Sequence, residues 1–302
     1  MDTSEDEKPQ NYHTDTTPRA GGIGLISGMI LLLLTPLGVK LVISLILAFV
    51  SGIFEDFHNS LSPKLRLILQ FISAFTAVLL TDSVVTYLGL GITMPYILGV
   101  IFSIFAIMGI MNAINIIDGF NGLASSVSLL ILSSFAFTAY SHNAMDILHI
   151  IAITVGSLLG FFILNFPKGK IFLGDGGAYL LGFIIALIGI SLASTYDDVS
   201  PWYVLSMLIY PVWEVLFSII RKVSIGLSPM QPDAYHLHML IYRHITQNNP
   251  LTALFIFIAI LPVNILSTLY SHSSLYNIII ASIFIPLYIS LYIYLYRKDT
   301  KS

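Results

Sequence analysis

Long apolar stretches separated by short polar connections follow one another along nearly the whole chain. A bilayer core about 30 Å thick is crossed by roughly 17 to 25 mostly apolar helical residues. Ten stretches approach or meet that length and predict membrane-spanning helices: 23–35, 40–54, 64–80, 95–113, 124–140, 147–164, 176–194, 202–220, 251–270 and 276–296. Between the two short first spans, Thr35-Pro36-Leu37-Gly38 favours a tight turn over a single long helix kinked at Pro36.

Composition supports this pattern and narrows the class of protein. Of 302 residues, 56% are hydrophobic and only 10% are charged, with a net charge of -3 and a mean hydropathy of +0.89. A soluble domain carries about 25% charged residues, so a cytosolic enzyme and a disordered tail are excluded. A nucleic-acid binder is also excluded, because its signature is a basic excess. The absence of cysteine excludes disulfides and thiolate metal sites. The predicted fold is an all-α, polytopic integral membrane protein.

The lysines and arginines predict the orientation of the spans. With both termini in the cytoplasm, only Lys40 of the 13 basic residues lies outside, while the outer loops carry acidic residues. We therefore predict a cytoplasmic tail at residues 1–22, a membrane domain at 23–297 and a cytoplasmic tail at 298–302. No cleavable signal peptide is expected, because the first 18 residues are acidic and polar.

Polar residues collect in the four inner connections of this topology, at 55–63, 114–123, 165–175 and 221–250. These connections and their borders contain the following polar side chains: Glu55, Asp56, Asn112, Asn115, Asp118, Asp175, His236, His238 and Arg243. Carboxylates at a membrane boundary cost several kcal/mol unless they are solvated, paired or holding a cation. Four such clusters on one side predict a shared polar cleft on the cytoplasmic face.

Each cluster also has a structural interpretation of its own. The Glu55-Asp56 pair is compatible with a solvated turn, and Asn112 and Asn115 with hydrogen bonds between helices. The Asp-Gly pairs at 118–119 and 175–176 are compatible with turns that end helices. A single His-x-His segment is most often a surface loop. The functional interpretation therefore depends on all four clusters lying on the same side.

The residue types indicate phosphate chemistry at a lipid surface. Oxygen ligands without cysteine favour Mg²⁺, or Mn²⁺, over zinc. Asp175 lies in a glycine-rich turn, where the backbone can approach a phosphate closely. Lys64, Arg66 and Arg243 lie beside the acidic clusters and are candidates for binding anionic head groups. Anchoring by positive charges on the inner side is the alternative role for such residues.

Several segments carry a resemblance to a known family. They are His13, Pro18-Arg19-Ala20-Gly21-Gly22, Asn112 to Leu123, Phe172 to Gly182 (FLGDGGAYLLG) and Pro232 to Leu240. In order and placement they resemble the polyprenyl-phosphate N-acetylhexosamine-1-phosphate transferases, the MraY/WecA-like glycosyltransferase 4 family. The resemblance covers nearly the whole chain.

The resemblance implies transfer of a sugar 1-phosphate from a UDP-activated N-acetylhexosamine to undecaprenyl phosphate, with release of UMP. It associates Asp175 and Asn115 with the Mg²⁺, places Asp56 in an acidic pair near the lipid phosphate and Asp118 in the same polar cleft, and implies that the His-x-His segment contacts the nucleotide-sugar. Together with the positions of the basic residues, of which Lys64 and Arg66 lie at the depth of a lipid phosphate, this predicts three groups of site residues. The groups are catalytic Asp56, Asp118 and Glu55; metal-binding Asp175 and Asn115; and substrate-binding His236, His238, Arg243, Lys64, Arg66 and Asn112. From the residues alone, positioning and electrostatics are a better role for Asp56 than obligatory base catalysis, because the lipid phosphate is already largely ionised near neutrality.

The chain departs from the family pattern at four points. Glu55 replaces the first Asp of the acidic pair, Asn121 replaces a second Asp, and Ala234 stands where some relatives have Arg. Many members also have one more span before the proline-glycine segment. The His-Leu-His-Met segment resembles the branch that initiates surface glycans such as O-antigen.

This resemblance implies a location in the bacterial inner membrane and partners that include the two substrates and membrane lipid, without nucleic acid; a homodimer is left open. Two rival functions remain at this point. A Mg²⁺-dependent intramembrane polyprenyl transferase would need two Asp-rich clusters, of which only Glu55 to Asn59 suggests one. A secondary transporter would need inverted repeats and mid-membrane charges. No repeat is visible, and Glu214 is the one ionisable residue well inside a span.

Overall fold

The computed structural model describes residues 17–58, 61–228 and 233–300, and these are almost entirely α-helical. His13, Pro232 and most of the two predicted tails lie outside the described residues. The helices are α1 (Gly21–Met29, followed by a 3-10 turn, Ile30–Leu34), α2 (Pro36–His58), α3 (Pro63–Thr81), α4 (Tyr96–Ile117), α5 (Leu123–Ser141), α6 (Met145–Asn165), α7 (Gly174–Thr195), α8 (Pro201–Met207), α9 (Ile209–Ser224), α10 (Leu237–Ile241, followed by a π-helical turn, Tyr242–Thr246), α11 (Asn249–Leu269) and α12 (Ser274–Asp299). One short hairpin of β1 (Tyr87–Gly89) and β2 (Ile92–Thr93) connects α3 to α4.

The predicted all-α membrane fold is confirmed. Within the described ranges, eight helices are long and apolar enough to cross a bilayer on their own. The α8/α9 pair satisfies the same test only together and is bent by 76°, while the apolar stretch Gly21–Leu34 is shorter than a full span. Each of the ten predicted spans thus contains a helix, and the chain is a multi-pass membrane protein.

Prolines account for the breaks between α1 and α2 and between α8 and α9. Pro36 begins α2 directly after the turn at Thr35, whose hydroxyl accepts the Gly38 N–H at 3.0 Å. The predicted break between the first two spans therefore lies at this position. At the α8/α9 bend, Pro211 has no N–H to donate back to Met207, which accounts for the interruption beside Leu208.

Helix α7 forms the centre of the bundle. Over its most apolar 18 residues it is 94% buried, against 22–61% for the other seven full-length spans. Glycines allow this close packing: a Cβ added to Gly182 would lie 2.6 Å from the Met111 Cα on α4, and one added to Gly177 would lie 2.8 Å from the Gly22 Cα on α1. The outward faces of the surrounding helices carry exposed apolar side chains such as Ile97, as a lipid-facing surface requires.

The ends of α2, α4 and α7 that carry the predicted motifs meet at one face of the bundle. There, the α2 carboxylate of Asp56 accepts N–H groups from the start of α7, and Asn115 of α4 donates to Asp175 of α7. We name this the site face. Its cytoplasmic location remains a prediction from the distribution of basic residues.

Cysteine labelling tests that orientation, because the natural chain has no cysteine. Asp197 lies in the exposed connection between α7 and α8, and Lys168 is exposed in the connection between α6 and α7. A membrane-impermeant maleimide should label an Asp197→Cys variant in intact cells, and a Lys168→Cys variant only after permeabilisation. The reverse pattern would show that the site face is external.

Candidate active site

The start of α7 is held by a carboxylate from α2. The Asp56 Oδ1 accepts the Asp175 N–H at 2.8 Å, and its Oδ2 accepts the Gly176 N–H at 3.0 Å. The preceding Gly174 has φ +74, and a Cβ at that position would lie 2.6 Å from the Asp56 Oδ2. A glycine is required here by both the backbone conformation and the close approach. Asp56 thus acts in this structure as a cap on the first turn of α7.

The side chain of Asp175 joins three helices. Its Oδ1 accepts the Asn115 Nδ2 at 2.9 Å, and its Oδ2 accepts the Arg66 Nη1 at 3.2 Å. Asp175 and Arg66 are 25% and 22% exposed, so the pair is accessible from the site face. Three residues that were predicted from separate connections are therefore in direct contact.

Two further predicted acids lie at the same face without fixed partners. Asp118 follows the last turn of α4, and within the described residues its carboxylate has no hydrogen bond. Desolvation raises the pKa of Asp118 well above its usual range, and the charges of Asp175 and Asp56 raise it further. Glu55, next to the capping Asp56, is half-buried and likewise has no hydrogen bond in the described part of the chain. Such an acidic cluster favours the binding of a cation.

The segment before α1 brings a cation to this cluster. Pro18 accepts the Phe172 N–H at 3.0 Å, and Gly21 and Gly22 donate back to the carbonyls of residues 172 and 173. This pairing places Arg19 close enough for its charge to counteract the rise in the Asp118 pKa. In the sequence, the proline-glycine segment contributes only to the family resemblance. The pattern therefore does not predict the contribution of Arg19 to the site.

The connection between α4 and α5 is fixed by side-chain amides. The Gly122 N–H donates to the Asn165 Oδ1 at 2.6 Å, and the Asn121 N–H donates to the Asn249 Oδ1 at 2.7 Å. The Asn121 Nδ2 donates to the Pro167 carbonyl at 3.1 Å. Asn121, which departs from the family pattern, therefore ties this turn to the following connection.

The His-x-His segment reaches the same turn from the other side. The rings of His236 and His238 stack with centroids 5.4 Å apart, and His238 meets the Phe120 ring edge-on at 5.7 Å. A Cβ on Gly119 would lie 3.5 Å from the His238 Nε2. That nitrogen is buried and has no hydrogen-bond partner in the described residues. Burial lowers the pKa of His238 to about 4, so its ring is neutral at neutral pH.

The remaining predicted substrate-binding residues lie in different surroundings. Asn112 donates to the Gln70 Oε1 of α3 at 2.8 Å, a bond between helices. Lys64 is exposed at the start of α3. Arg243 donates to the Asp299 Oδ2 at 3.1 Å and to the Ala234 carbonyl at 2.6 Å. The structure thus brings Arg66 to Asp175 and gives Arg243 a partner at the end of α12. Substrate contact by Asn112, Lys64, Arg66 and Arg243 remains a prediction.

Glu214 is the residue whose part in this region was missed. The sequence places it inside a span, and in the structure it is 1% exposed. Its Oε1 lies 3.1 Å from the His236 Nδ1, which links it to the predicted His-x-His segment. The signal was the cost of a carboxylate within an apolar helix, which requires partners, but the pattern alone did not identify them.

The donor set at Asp175 suits a hard cation. Within the described ranges, no three His, Cys, Asp or Glu side chains are arranged as a conventional metal site. Mg²⁺ needs fewer, since it is usually bound by one or two carboxylates and completed by water and substrate phosphates. Asp175, the amide of Asn115 and the unpartnered carboxylate of Asp118 supply ligands of that kind.

Comparison with known proteins identifies the family of this chain. The family model described as "Glycosyl transferase family 4" matches residues 39–193, about half of the chain. The chain belongs to glycosyl transferase family 4. The matched range contains Asp56, Asn115, Asp118 and Asp175, while the His-x-His segment lies beyond it.

Curated relatives extend the similarity beyond the matched range. The chain is 32% identical over 256 residues to the undecaprenyl-phosphate alpha-N-acetylglucosaminyl 1-phosphate transferase of Haemophilus influenzae, covering 78% of this chain and 71% of that protein. It is 28% identical over 257 residues to a probable undecaprenyl-phosphate N-acetylglucosaminyl 1-phosphate transferase of Bacillus subtilis, covering 77% and 68%.

Another relative is similar over a shorter segment. Over 145 residues, the chain is 33% identical to a phospho-N-acetylmuramoyl-pentapeptide-transferase of Streptococcus agalactiae, covering 46% of this chain and 43% of that protein. The predicted family resemblance is confirmed. Membership of glycosyl transferase family 4 and these relatives indicate a phospho-sugar transferase within the membrane.

The capping role of Asp56 is testable by a variant of the same size. Asp56→Asn retains one acceptor oxygen and loses the charge, so one N–H at the start of α7 loses its partner. Loss of a hydrogen bond to a charged group should lower the free energy of unfolding by about 1.5–3 kcal/mol. Thermal unfolding of the purified protein in detergent measures this change.

The neighbouring carboxylate provides a matched control. Glu55→Gln removes a charge one position away from a side chain that makes no hydrogen bond in the described residues. Its melting temperature should stay close to that of the natural protein. Equal melting temperatures for both variants would contradict the capping role.

Proposed function

We propose that this chain transfers N-acetylhexosamine 1-phosphate from a UDP-sugar to undecaprenyl phosphate and releases UMP. The observation that carries the proposal is the Asp175 carboxylate, which contacts Asn115 and Arg66. It lies at the same face as Asp118, whose carboxylate makes no hydrogen bond in the described part of the chain. The activity after which the two relatives that cover most of the chain are named supports the same substrates.

In this reaction, an oxygen of the lipid phosphate attacks the phosphorus that carries the sugar. The bond from that phosphorus to the oxygen of UMP breaks, UMP leaves with this oxygen, and the product is a lipid-linked diphosphate sugar. Both substrates are anions, so catalysis depends on positioning and on neutralising charge around the transferred group. Among the described residues, Arg66 contacts Asp175 and Arg19 lies near Asp118, so these two arginines are the candidates for neutralising that charge.

Asp175, Asn115 and Asp118 are the side chains that would hold Mg²⁺. Bound there, Mg²⁺, or Mn²⁺ in its place, would neutralise the charge that develops on the diphosphate. Asp175 keeps its carboxylate directed at the site because its own N–H and that of Gly176 are bound to Asp56. Asn115 would present its amide oxygen in place of the Nδ2 that now faces Asp175.

The contacts of Asp56 support a positioning role for that residue. Both of its carboxylate oxygens accept backbone N–H groups, which is the arrangement expected of an ionised helix cap. A proton acceptor for the lipid phosphate would have to give up one of these bonds. Glu55, with no such bonds, stays available near the lipid phosphate.

The biological setting follows from the same proposal. The sources of the two relatives, both bacteria, support a location in the bacterial inner membrane. The distribution of basic residues supports a site face in the cytoplasm, where UDP-sugars are present. UDP-N-acetylglucosamine is the first donor to test, because the two relatives carry N-acetylglucosaminyl in their names. The product would initiate a surface glycan such as O-antigen.

The rival functions lack comparable support. A transporter would use an accessible mid-membrane charge, whereas Glu214 is bound by His236, the Leu237 N–H and Tyr288. Family membership also argues against a polyprenyl transferase, which would need a second Asp-rich cluster.

Substitution of Asp175 tests the proposed reaction. In detergent with undecaprenyl phosphate, UDP-N-acetylglucosamine and Mg²⁺, the purified protein should release UMP. Asp175→Asn retains the size of the side chain but removes the charge that would hold the cation. Loss of such stabilisation typically lowers the rate on the order of 10²-fold or more. Added Mg²⁺ should restore part of the rate.

Asp198→Asn is the matched control, because Asp198 is an exposed carboxylate paired with His142 in the connection between α7 and α8. It should leave UMP release unchanged. Near-normal turnover of Asp175→Asn at limiting Mg²⁺ would remove Asp175 from the proposed metal site. Absence of UMP release by the natural protein across a panel of UDP-N-acetylhexosamines would overturn the proposed reaction.

A further inference from the structure

A buried carboxylate on α9 is surrounded by donors from two other segments. Glu214 is 1% exposed. Its Oε1 accepts the Leu237 N–H at 2.8 Å and lies 3.1 Å from the His236 Nδ1, and its Oε2 accepts the Tyr288 hydroxyl at 2.9 Å. A carboxylate in the interior of a membrane protein is costly unless such donors satisfy it. Every donor here is part of an ordered contact, so Glu214 connects α9, α10 and α12.

The contact with Leu237 caps α10. Leu237 is the first residue of that helix, and the residue before it, His236, makes no side-chain cap of its own. The free N–H groups at a helix start need an acceptor, and a negative charge is favoured there. Glu214 supplies both from a neighbouring helix.

The bound histidine transmits this fixed position toward the site face. The His236 ring stacks on His238 with an angle of 3° between the planes. His238 in turn packs against Phe120, and a Cβ on Gly119 would lie 3.5 Å from its Nε2. Gly119 and Phe120 directly follow Asp118 in the chain. The position of the His-x-His segment relative to the acidic cluster is therefore determined through Glu214.

We propose that Glu214 is a positioning residue for the nucleotide-sugar side of the site. It holds His236 and the start of α10 so that the His-x-His segment stays against the Asp118–Phe120 turn. The inference rests on the proposed function and on the contact with the UDP-sugar that the family resemblance implies for this segment. Lys64 and Arg66 on α3 are the predicted cations for the lipid phosphate, and within the described residues neither of them contacts Glu214.

The prediction is a selective loss at one substrate. Glu214→Gln keeps the shape, but it removes the negative charge at the start of α10 and replaces one of the two acceptor oxygens by an NH₂ donor, so His236, Leu237 and Tyr288 share a single neutral acceptor. In the UMP-release assay, the KM for the UDP-sugar should rise about tenfold, which is the lower end of the roughly 10- to 100-fold loss that follows removal of a partner that orients a metal-ligating histidine. The KM for undecaprenyl phosphate should stay within about twofold. Tyr288→Phe removes the hydrogen bond from the Tyr288 hydroxyl to the Glu214 Oε2. It should raise the KM for the UDP-sugar selectively as well, but by a smaller factor.

Asn277→Ala is the control for general destabilisation. Asn277 is fully buried on α12 and donates to the Tyr270 and Ser273 carbonyls, far along the helix from Tyr288. It should lower the melting temperature without changing the ratio of the two KM values.

Each outcome is decisive. If the natural protein releases UMP and Glu214→Gln shows only the lowered melting temperature of the control, Glu214 is structural and the inference is wrong. If Glu214→Gln does not fold, Tyr288→Phe decides the question by the same KM ratio. If the natural protein releases no UMP, the proposed function fails, which is a separate result.

Discussion

The site depends on a pair of hydrogen bonds that cap the first turn of one buried helix. Helix α7 is surrounded by the rest of the bundle, so the N–H groups at its start need acceptors from the protein. Asp56 of α2 accepts two of them and places a negative charge at the positive end of the helix. This contact sets α2 and α7 in register and directs the Asp175 side chain toward Asn115 and Arg66.

The same device recurs on the other side of the site face. Glu214, a carboxylate from the bent helix α9, accepts the first N–H of α10 and lies against His236. Between the two capped helices lies the turn that follows α4 and contains Asp118. The candidate site is therefore assembled from helix ends that are joined by carboxylates, and its geometry is supported by the buried bundle behind it.

Much of this arrangement was predictable, and the remainder depended on contacts between distant residues. Hydropathy located the helices, because a helix that crosses the bilayer must be apolar over a length set by the bilayer thickness. The number of spans between the polar clusters predicted that the clusters lie on one side. The pattern could not show which donors approach a given carboxylate. Asp56 and Asp175 therefore look alike in sequence, yet one accepts backbone N–H groups and the other faces side chains. For the same reason, the pairing of Arg243 with Asp299 and the partners of Glu214 were missed.

The central claim is that Asp175 holds a divalent cation at the meeting point of α3, α4 and α7. A structure of the protein with Mn²⁺ and UMP, with the ion located by its anomalous scattering, tests this most directly. We expect the ion at about 2.1 Å from an Asp175 carboxylate oxygen, with the Arg66 contact lengthened or replaced. An ion bound elsewhere, with Asp175 still held by Arg66 and Asn115, would contradict it.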